Sequence, residues 1–247
     1  MKNKLDKLVK IFKANENTIH VITGAGVSVA SNIRAFRGEN GIYNDEREDN
    51  LQPEFLLSVE ALKTHPMEVK QFYKDNLDPT IRIEPNITHI LLAQLEQNNF
   101  ITGVITQNID ELHQKSGSKN VSAIHGTLTP DGFYCTKCKT QFTFEDYLNQ
   151  VYCEIKGCKG YIRPNIVLYG DCLQDEPIEK AFEIAGASNY VVVMGSSLLV
   201  STVYPFMNYA ELIIINNEPT YFDNQAYLVI NEDLSVVSKY LKEHLVG

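Results

Sequence analysis

Short apolar runs separated by amphipathic segments set the pattern of hydrophobic positions along this chain. Residues 18–23 form a β-rich run that ends at a glycine turn, and residues 100–107 form a second one. Three further runs, at 190–194, 212–216 and 226–230, predict three later strands. The first two of these later runs are apolar apart from the terminal Asn216, as expected of parallel strands that are buried on both faces.

Between these runs, apolar residues recur at helical spacing and predict helices. Leu5, Leu8, Val9 and Phe12 recur at helical spacing and predict an amphipathic first helix. An irregular segment with several prolines, residues 38–86, interrupts the alternating pattern as an insertion. Strands that alternate with helices indicate a doubly wound parallel α/β sheet with inserted material. Further helices are predicted at residues 28–32, 54–62, 66–77, 87–97 and 233–244.

Composition narrows the class of protein. The 247 residues are 44% hydrophobic, which suffices for one large domain or for a large and a small one, and the net charge is −9. No run of Lys or Arg marks a nucleic-acid or membrane surface, and no apolar run approaches the roughly 18 residues that span a bilayer. The N-terminus lacks the apolar core of a secretory signal. We therefore expect a cytoplasmic protein without nucleic-acid or membrane partners, with a monomer favoured.

Most of the cysteines fall close together in the middle of the chain. Cys135 and Cys138 are separated by two residues, and Cys153 and Cys158 by four, which is the spacing of two zinc knuckles. Because no export signal accompanies them, metal binding is favoured over disulfides. Four thiolates leave no open coordination position, so we predict one structural Zn²⁺. Cys172 is the remaining cysteine and is expected to be a packed free thiol.

The residues that follow the first predicted strand are small. Gly24, Ala25 and Gly26 lie there, with Ser28 close behind. Small residues let backbone N–H groups approach a pyrophosphate, and a following helix adds a favourable field. Val29 stands where the usual dehydrogenase fingerprint has its third glycine, so an ordinary hydride-transfer enzyme is disfavoured. A tight strand-to-helix turn without a ligand is the alternative interpretation.

Polar side chains follow the second predicted strand. Gln107, Asn108 and Asp110 come where that strand ends, and ligands of open α/β sheets bind at such ends. Amide and carboxylate groups at this position can hold ribose hydroxyls and a carboxamide. His125 follows further along beside Gly126, and an imidazole with an ordinary pKa of about 6.5 can act as a base at neutral pH. Taken singly, His125 is more often a loop or core histidine.

With these residues together, the chain resembles the sirtuin family of NAD-dependent protein lysine deacylases, from Ile19 to about Leu234. The resemblance rests on ordered motifs that are spread over nearly the whole chain. They are the glycine loop through Ser28, Phe36-Arg37-Gly38, the segment from Thr106 to Asp110, His125-Gly126, the four clustered cysteines, the segment from Arg163 to Val167, Tyr169-Gly170-Asp171, the segment from Gly195 to Leu198, and Ile215-Asn216.

The resemblance implies a fold of two domains. A Rossmann-like large domain would comprise residues 1–37, 87–126 and 165–247. A small domain would combine the helical insertion, residues 38–86, with a zinc ribbon, residues 127–164. NAD and an extended acyl-lysine peptide would meet between them, and the peptide would add as a strand between residues 167–171 and the segment after Gly195. Zinc would hold the small domain and stay out of the chemistry.

The same resemblance implies roles for the matched residues. Asn108 and His125 would be catalytic, with His125 as general base toward a ribose hydroxyl after nicotinamide has left. The products would be free lysine, nicotinamide and O-acyl-ADP-ribose. The acyl-lysine substrate would be held by Val167, Tyr169, Gly170, Asp171 and Leu199. NAD would be bound by Gly24, Ala25, Gly26, Ser28, Phe36, Arg37, Gln107, Asn108, Ile109, Asp110, Gly195, Ser196, Ser197, Asn216, Asn217, Glu218 and Leu234.

Two segments depart from the family pattern. Sirtuins usually have Gly, Pro and Asp where this chain has Asn32, Arg34 and Ala35. Asparagine tolerates a positive φ, so we expect the turn at Asn32 to persist. The missing aspartate predicts altered handling of nicotinamide. Asn76 stands where sirtuins that prefer acidic acyl groups carry Arg, which predicts neutral acyl substrates.

The resemblance favours a deacylase, with acetyl-lysine as the expected substrate. An ADP-ribosyltransferase or an NAD hydrolase on the same scaffold is the first alternative, because the cofactor loop departs from the pattern. A non-catalytic module that binds NAD or acyl-lysine is the second alternative. His125 and the peptide-strand motif argue against the first, and the complete segment from Gln107 to Asp110 argues against the second.

Overall fold

A computed structural model describes residues 1–186, 188–208 and 210–247. The chain divides into two compact units, each built from segments that are distant in the sequence. The first unit comprises Met1–Ala35, Ile83–Ile124 and Asp175–Gly247, and the second comprises Phe36–Arg82 and His125–Gln174. The functional domain boundaries that the sequence implies stay a prediction.

Strands and helices alternate along the described residues. The strands are β1 (Ile19–Thr23), β2 (Gly103–Thr106), β3 (Val121–Ala123), β4 (Phe133–Cys135), β5 (Gln141–Phe142), β6 (Ile162–Pro164), β7 (Tyr190–Met194), β8 (Glu211–Ile215) and β9 (Leu228–Ile230). The α-helices are α1 (Lys2–Ala14), α2 (Pro53–Leu56), α3 (Val59–Thr64), α4 (Pro66–Asn76), α5 (Ile87–Gln97), α6 (Leu112–Lys115), α7 (Phe144–Asn149), α8 (Asp175–Ala185) and α9 (Leu234–Leu241).

The first unit is built on a six-stranded parallel sheet in the order β3-β2-β1-β7-β8-β9. Strand β1 lies near the centre of the sheet, and β2 and β3 follow it in sequence toward one edge. The chain then crosses to β7 on the other side of β1 and continues through β8 to β9 at the opposite edge. The two central strands, β1 and β7, pair in register from Ile19 opposite Tyr190 to Thr23 opposite Met194. This topology confirms the predicted doubly wound α/β sheet.

Both faces of this sheet are buried. Successive side chains along a strand point to opposite faces, so Val21 and Val192 pack in the cluster that contains α1, α5 and α9. Ile22 and Val193 pack in the opposite cluster, with α8 and the 3₁₀-helix Ser201–Phe206. This two-sided burial explains why the central strands are apolar at consecutive positions.

The second unit combines a small antiparallel sheet with short helices. Its strand order is β5-β4-β6. Aromatic side chains join α4 to α7 and the sheet, because the Tyr73 and Tyr147 rings lie 6.1 Å apart and Tyr147 stacks on Phe133 at 4.9 Å. Lys70 of α4 also donates from its Nζ to the Leu148 carbonyl at 3.3 Å. The helical insertion and the cysteine-bearing segment therefore share one core.

The structure corrects two predicted helices. The helix predicted at residues 54–62 is divided into α2 and α3, because Ser58 is extended and its hydroxyl accepts the Ala61 N–H at 3.0 Å as an N-cap. The helix predicted at residues 28–32 is a 3₁₀-helix that spans Ala25–Ser31. It ends at Asn32 with a φ of 64°, which confirms the expected positive φ at this asparagine. Within the described residues, none of the helices combines the length and apolar character needed to cross a membrane.

Candidate functional site

The carboxyl edge of the parallel sheet gathers loops from neighbouring strands. Gly24 follows β1, Gln107 follows β2, Gly195 follows β7 and Asn216 follows β8. The strand order reverses between β1 and β7, and ligands of open α/β sheets bind in the crevice at such a reversal. The loops predicted to hold a dinucleotide therefore lie where this class of fold binds one.

The two glycine loops at this edge pack directly against each other. Gly26 donates its N–H to the Gly195 carbonyl at 2.9 Å. A Cβ atom at Gly26 would lie 2.9 Å from the Gly195 Cα atom, and Gly195 itself has a φ of 61°. Both positions therefore require glycine for the close approach of the loops. The polar side chains beside these glycines indicate the kind of ligand, which the glycines alone do not.

Ser28 is the centre of a hydrogen-bond cluster at this edge. Its hydroxyl donates to Asp110 Oδ2 at 2.5 Å and accepts from Asn108 Nδ2 at 3.1 Å. Asn108 is held further by its backbone N–H, which donates to Thr106 Oγ1 at 3.0 Å. Ser28 and Asn108 are buried, at 1% and 8% exposure. The structure thus brings three predicted cofactor residues together as a fixed set of amide, hydroxyl and carboxylate groups, which suits ribose hydroxyls and a carboxamide.

Two buried histidines that the sequence did not single out support this cluster. His89 Nδ1 accepts the Asn86 N–H at 3.3 Å, so the neutral ring carries its proton on Nε2, which faces Ser28 Oγ at 3.5 Å. The His113 ring lies 4.9 Å from the His89 ring, and its Nε2 contacts Thr23 Oγ1 at 2.9 Å. Among the described residues, His113 Nδ1 has no hydrogen-bond partner. Both rings are therefore accommodated in the neutral form.

We expect the protein to lose stability as the pH falls from 7.5 to 5. Burial lowers the pKa of His20 and of His89 to about 4, against an opposing effect of Asp110 on His89. Burial and the neighbouring His89 lower the pKa of His113 to about 3. Between pH 6.5 and these values only the unfolded chain is protonated, so acid favours unfolding. The loss is roughly 2 kcal/mol for each histidine at pH 5.

Thermal unfolding at pH 7.5 and at pH 5.0 measures this loss. The variant His113→Gln keeps an amide donor for Thr23 and removes one titrating group, so its unfolding midpoint should depend less steeply on pH. Equal midpoints of the natural protein at the two pH values would contradict the expectation. An unchanged pH dependence in His113→Gln would show that His113 does not contribute to the loss of stability in acid.

The remaining predicted cofactor residues of the first unit lie along the same edge. Ser196 Oγ donates to Gln107 Oε1 at 2.9 Å, which links the loops after β2 and β7. Asn216 Nδ2 donates to the Glu218 carbonyl at 2.7 Å and shapes the turn after β8. Leu234 begins α9. The turn after Gly195 also contains Ser197, and Leu199 there is half exposed. These placements agree with a ligand that spans several strand ends.

In the second unit, Arg37 joins several side chains. Its Nη2 donates to Glu54 Oε1 at 2.6 Å and to Tyr169 Oη at 3.4 Å. The guanidinium group lies 4.9 Å from the centre of the Tyr43 ring, and Tyr43 packs against Phe36 at 5.5 Å. Phe36 and Arg37, both predicted for the cofactor, are thus held by a cluster that includes Tyr169, predicted for the substrate.

Residues 167–169 pair with neighbouring segments through their backbone, and a turn follows at Gly170. Val167 donates its N–H to the His125 carbonyl at 2.9 Å. Tyr169 donates its N–H to the Leu57 carbonyl at 2.9 Å and accepts the Val59 N–H at 3.0 Å. These bonds fix the predicted substrate segment against α3 and place the backbone of His125 beside it.

The side chain of Asp171 is used to shape this segment. Arg163 makes a bidentate pair with it, through Nη1 at 2.9 Å and Nη2 at 2.5 Å, and is itself only 8% exposed. Asp171 Oδ2 also accepts the Leu168 N–H at 2.9 Å. Because this carboxylate already accepts hydrogen bonds from Arg163 and Leu168, Asp171 holds the shape of the segment. Gly170, at the turn of the segment, is exposed.

The four clustered cysteines fit a zinc ion. Their Sγ atoms all lie within 4.8 Å of one another. The distances from Cys135 to Cys158 and from Cys138 to Cys153 are 3.7 Å and 3.6 Å, close to the separation of about 3.8 Å that a tetrahedral Zn–thiolate site requires. The cluster therefore suits one structural Zn²⁺.

Cys172 is exposed, so the prediction that it is a packed thiol is wrong, because it lies in the surface loop after Asp171.

Several site residues were missed in the sequence. His89 was read only as part of an amphipathic helix, and Tyr43 and Glu54 as parts of an irregular insertion. Each acquires its partner from a segment far along the chain, as the bond between Arg37 and Tyr169 illustrates. A polar residue on the buried face of α5 was the one available signal for His89.

Comparison with known proteins identifies the family. The family model described as Sir2 family matches residues 24–202. A protein from Staphylococcus aureus (strain Mu50 / ATCC 700699) named NAD-dependent protein deacetylase is 39% identical over 244 residues, which cover 98% of this chain and 99% of that protein. A protein of the same name from Staphylococcus epidermidis is 40% identical over 228 residues, covering 90% of this chain and 91% of that protein.

Solved structures give the same result. A Sir2 variant in complex with a deacetylated peptide and 3'-O-acetyl ADP ribose superimposes with a TM-score of 0.86 at 31% identity, covering 98% of both chains. A Sir2 bound to an acetylated peptide gives a TM-score of 0.80 at 29% identity, covering 97% of both chains. The family resemblance inferred from the motifs is thereby confirmed, and this chain belongs to the Sir2 family, the sirtuins.

Proposed function

We propose that this chain is an NAD-dependent protein lysine deacetylase. The observation that carries the proposal is the hydrogen-bonded cluster of buried Ser28 and Asn108 with half-buried Asp110 at the carboxyl edge of the sheet, beside the point where the strand order reverses. The similar staphylococcal proteins are named for this activity. The activity moves an acyl group from lysine to ADP-ribose, which makes the enzyme a transferase.

The donor groups along the sheet edge support a proposed arrangement of NAD. The backbone of Gly24, Ala25 and Gly26 offers N–H groups to the pyrophosphate. Asn108 and Asp110 hold the nicotinamide ribose and carboxamide, and Ile109 lies between them in the chain. The adenosine half lies toward the β7 and β8 loops. That half is assigned to Gly195, Ser196, Ser197, Asn216, Asn217, Glu218 and Leu234.

The second unit supplies the peptide-binding segment. Val167 and Tyr169 already pair their N–H groups along one edge of this segment, so an added strand would use the backbone groups of the other edge that Asp171 does not already hold. Val167 and Tyr169 contact the acyl-lysine side chain in this proposal. Leu199, in the loop after β7, is half exposed and offers an apolar surface to the same substrate. A solved sirtuin is described as bound to an acetylated peptide, which supports this class of partner.

His125 is assigned the proton transfer. Its backbone is fixed by the hydrogen bond to Val167, and a neutral imidazole can take a proton from a ribose hydroxyl after nicotinamide has departed. Asn108 and Asp110 orient the ribose during this step, while the zinc cluster holds the fold. A cytoplasmic location and a monomeric state stay predictions from the sequence.

Mass spectrometry of an acetyl-lysine peptide, incubated with and without NAD, tests the proposal. Loss of the acetyl group only with NAD, together with nicotinamide release, is the expected result. Nicotinamide release with the peptide still acetylated would point to an ADP-ribosyltransferase or an NAD hydrolase. Binding of NAD without any release of nicotinamide would point to a non-catalytic module. Either of the last two results would overturn the proposal.

We expect neutral acyl groups to be preferred over acidic ones. Asn76 occupies the position from which an arginine would pair with an acyl carboxylate, and its Nδ2 donates instead to the Phe72 carbonyl at 3.2 Å. Acetyl-lysine should therefore be turned over faster than succinyl-lysine. The variant Asn76→Arg should raise kcat/KM for the succinylated peptide about tenfold or more, as a bidentate pair can contribute.

Competition between acetylated and succinylated forms of one peptide measures this preference. The matched control is Lys74→Arg, which places the same guanidinium group on the exposed side of the same helix. The control should keep the preference of the natural protein. Faster desuccinylation than deacetylation by the natural protein would show that another cation recognises the carboxylate.

A further inference from the structure

Tyr169 is fixed in the substrate segment by its backbone. Its N–H donates to the Leu57 carbonyl at 2.9 Å, and its carbonyl accepts the Val59 N–H at 3.0 Å. The residue also forms a parallel bridge with Ser58. Its backbone is therefore held against the turn before α3.

The side chain of Tyr169 makes contact with a different segment. Its hydroxyl oxygen accepts a hydrogen bond from Arg37 Nη2 at 3.4 Å, and the same guanidinium group is held by Glu54 at 2.6 Å. Burial and a hydrogen bond with the Tyr169 hydroxyl raise the pKa of Tyr43, which keeps that phenol protonated. The hydroxyl of Tyr169 thus belongs to a network of one cation, one carboxylate and two phenols.

Arg37 and Phe36 lie in a tightly packed loop. Tyr43 donates its N–H to the Phe36 carbonyl at 2.9 Å, and the two rings are 5.5 Å apart. A Cβ atom at Gly41 would lie 2.7 Å from both the Phe36 carbonyl oxygen and the Arg37 Cα atom. Because the loop closes on itself this closely, a displacement of Arg37 displaces Phe36 as well.

We propose that the Tyr169 hydroxyl is a positioning group that couples peptide binding to cofactor binding. A peptide strand on residues 167–171 adds to the bonds that already hold the backbone of Tyr169, and the hydroxyl in turn holds Arg37 and the adjoining Phe36 in the arrangement that NAD binds. This inference rests on the proposed function, because it takes Phe36 and Arg37 as cofactor residues. Coupling of this kind is reciprocal, so the peptide raises the affinity for the cofactor by the same factor by which the cofactor raises the affinity for the peptide.

The substitution Tyr169→Phe isolates this group. It keeps the ring and both backbone hydrogen bonds, and it leaves Arg37 paired with Glu54. Tyr169 is 41% exposed, so loss of one hydroxyl costs little stability. Tyr152→Phe is the matched control, because Tyr152 is 45% exposed in the same unit and its ring packs against Tyr161 at 5.2 Å, away from this network.

The experiment titrates the zinc-loaded full chain with ADP-ribose, with and without a saturating acetyl-lysine peptide, by calorimetry. ADP-ribose has no nicotinamide to lose, so no turnover interferes. We expect the peptide to raise the affinity of the natural protein and of Tyr152→Phe for ADP-ribose about fivefold or more. In Tyr169→Phe this factor should fall at least about threefold, while the affinity without peptide changes less than about twofold.

A peptide effect of the same size in Tyr169→Phe, or none in the natural protein, would overturn the inference. Glu54→Gln provides a second variant, since it loosens Arg37 from the other side, and it should weaken the coupling too. A fold defect would lower the affinity with and without peptide alike and would lower the unfolding midpoint. The NAD-dependent deacetylation of the natural protein is measured first, so failure of the proposed function is seen separately from failure of the coupling.

Discussion

Replacing Cys153 by serine is expected to abolish zinc binding and to unfold much of the second unit. Cys153 is fully buried, and its Sγ lies 3.6 Å from Cys138 Sγ. A site with three thiolates binds Zn²⁺ far more weakly, and the binding free energy of a structural zinc ion is also folding free energy. We expect less than one tenth of a zinc ion per chain and an unfolding midpoint lower by about 10 °C or more.

Zinc analysis by mass spectrometry and thermal unfolding check this expectation. Cys172→Ser is the matched control, because Cys172 is an exposed cysteine outside the cluster. It should keep one zinc ion per chain and the natural midpoint. A strong chelator should reproduce the effect of Cys153→Ser in the natural protein. Full stability of the zinc-free protein would contradict a structural role for the metal.

Replacing His125 by alanine is expected to lower the rate of deacetylation by about 10²- to 10⁴-fold, the usual contribution of a general base. In the proposed mechanism the imidazole acts only after nicotinamide has left, so the variant should still exchange labelled nicotinamide into NAD when the acetylated peptide is present. This division between exchange and deacetylation distinguishes loss of the base from loss of the fold, because a misfolded variant would lose both.

The control for this substitution is His244→Ala. His244 is exposed near the C-terminus and stacks on Tyr240, so its removal should leave deacetylation unchanged. Product formation is followed by chromatography of peptide and nicotinamide. Retention of more than about one tenth of the natural rate in His125→Ala would assign the proton transfer to another group.

The parts of the site that local sequence determines were predictable. The zinc cluster was predictable because the cysteines come in two pairs with the spacing of zinc knuckles. The positive φ values of Lys139 and Lys159, 62° and 54°, which follow Cys138 and Cys158, were not predictable, since lysine rarely adopts them. The positive φ at Asn32 was predictable because asparagine tolerates it. The helix at residues 87–97 was predicted with its bounds from its amphipathic pattern, and the structure adds that Asn86 is its N-cap.

Other features depend on packing that no local pattern reveals. The strand β3 and the strands of the small sheet have only two or three residues each, too few to show a period. The Ala25–Ser31 segment is a 3₁₀-helix because it packs against the Gly195 loop. The pairing of Arg163 with Asp171 was also missed, although both lie in matched motifs, because a motif does not state which of its side chains meet.

The fate of the acetyl group tests directly whether the protein transfers it from lysine to ADP-ribose. A peptide whose lysine carries a ¹³C-labelled acetyl group is incubated with the protein and NAD, and the small-molecule products are separated. We predict that the label appears in O-acetyl-ADP-ribose, with equal amounts of nicotinamide and deacetylated peptide. Label that appears directly as free acetate, or that stays on the peptide while NAD is consumed, would contradict transfer of the acetyl group to ADP-ribose.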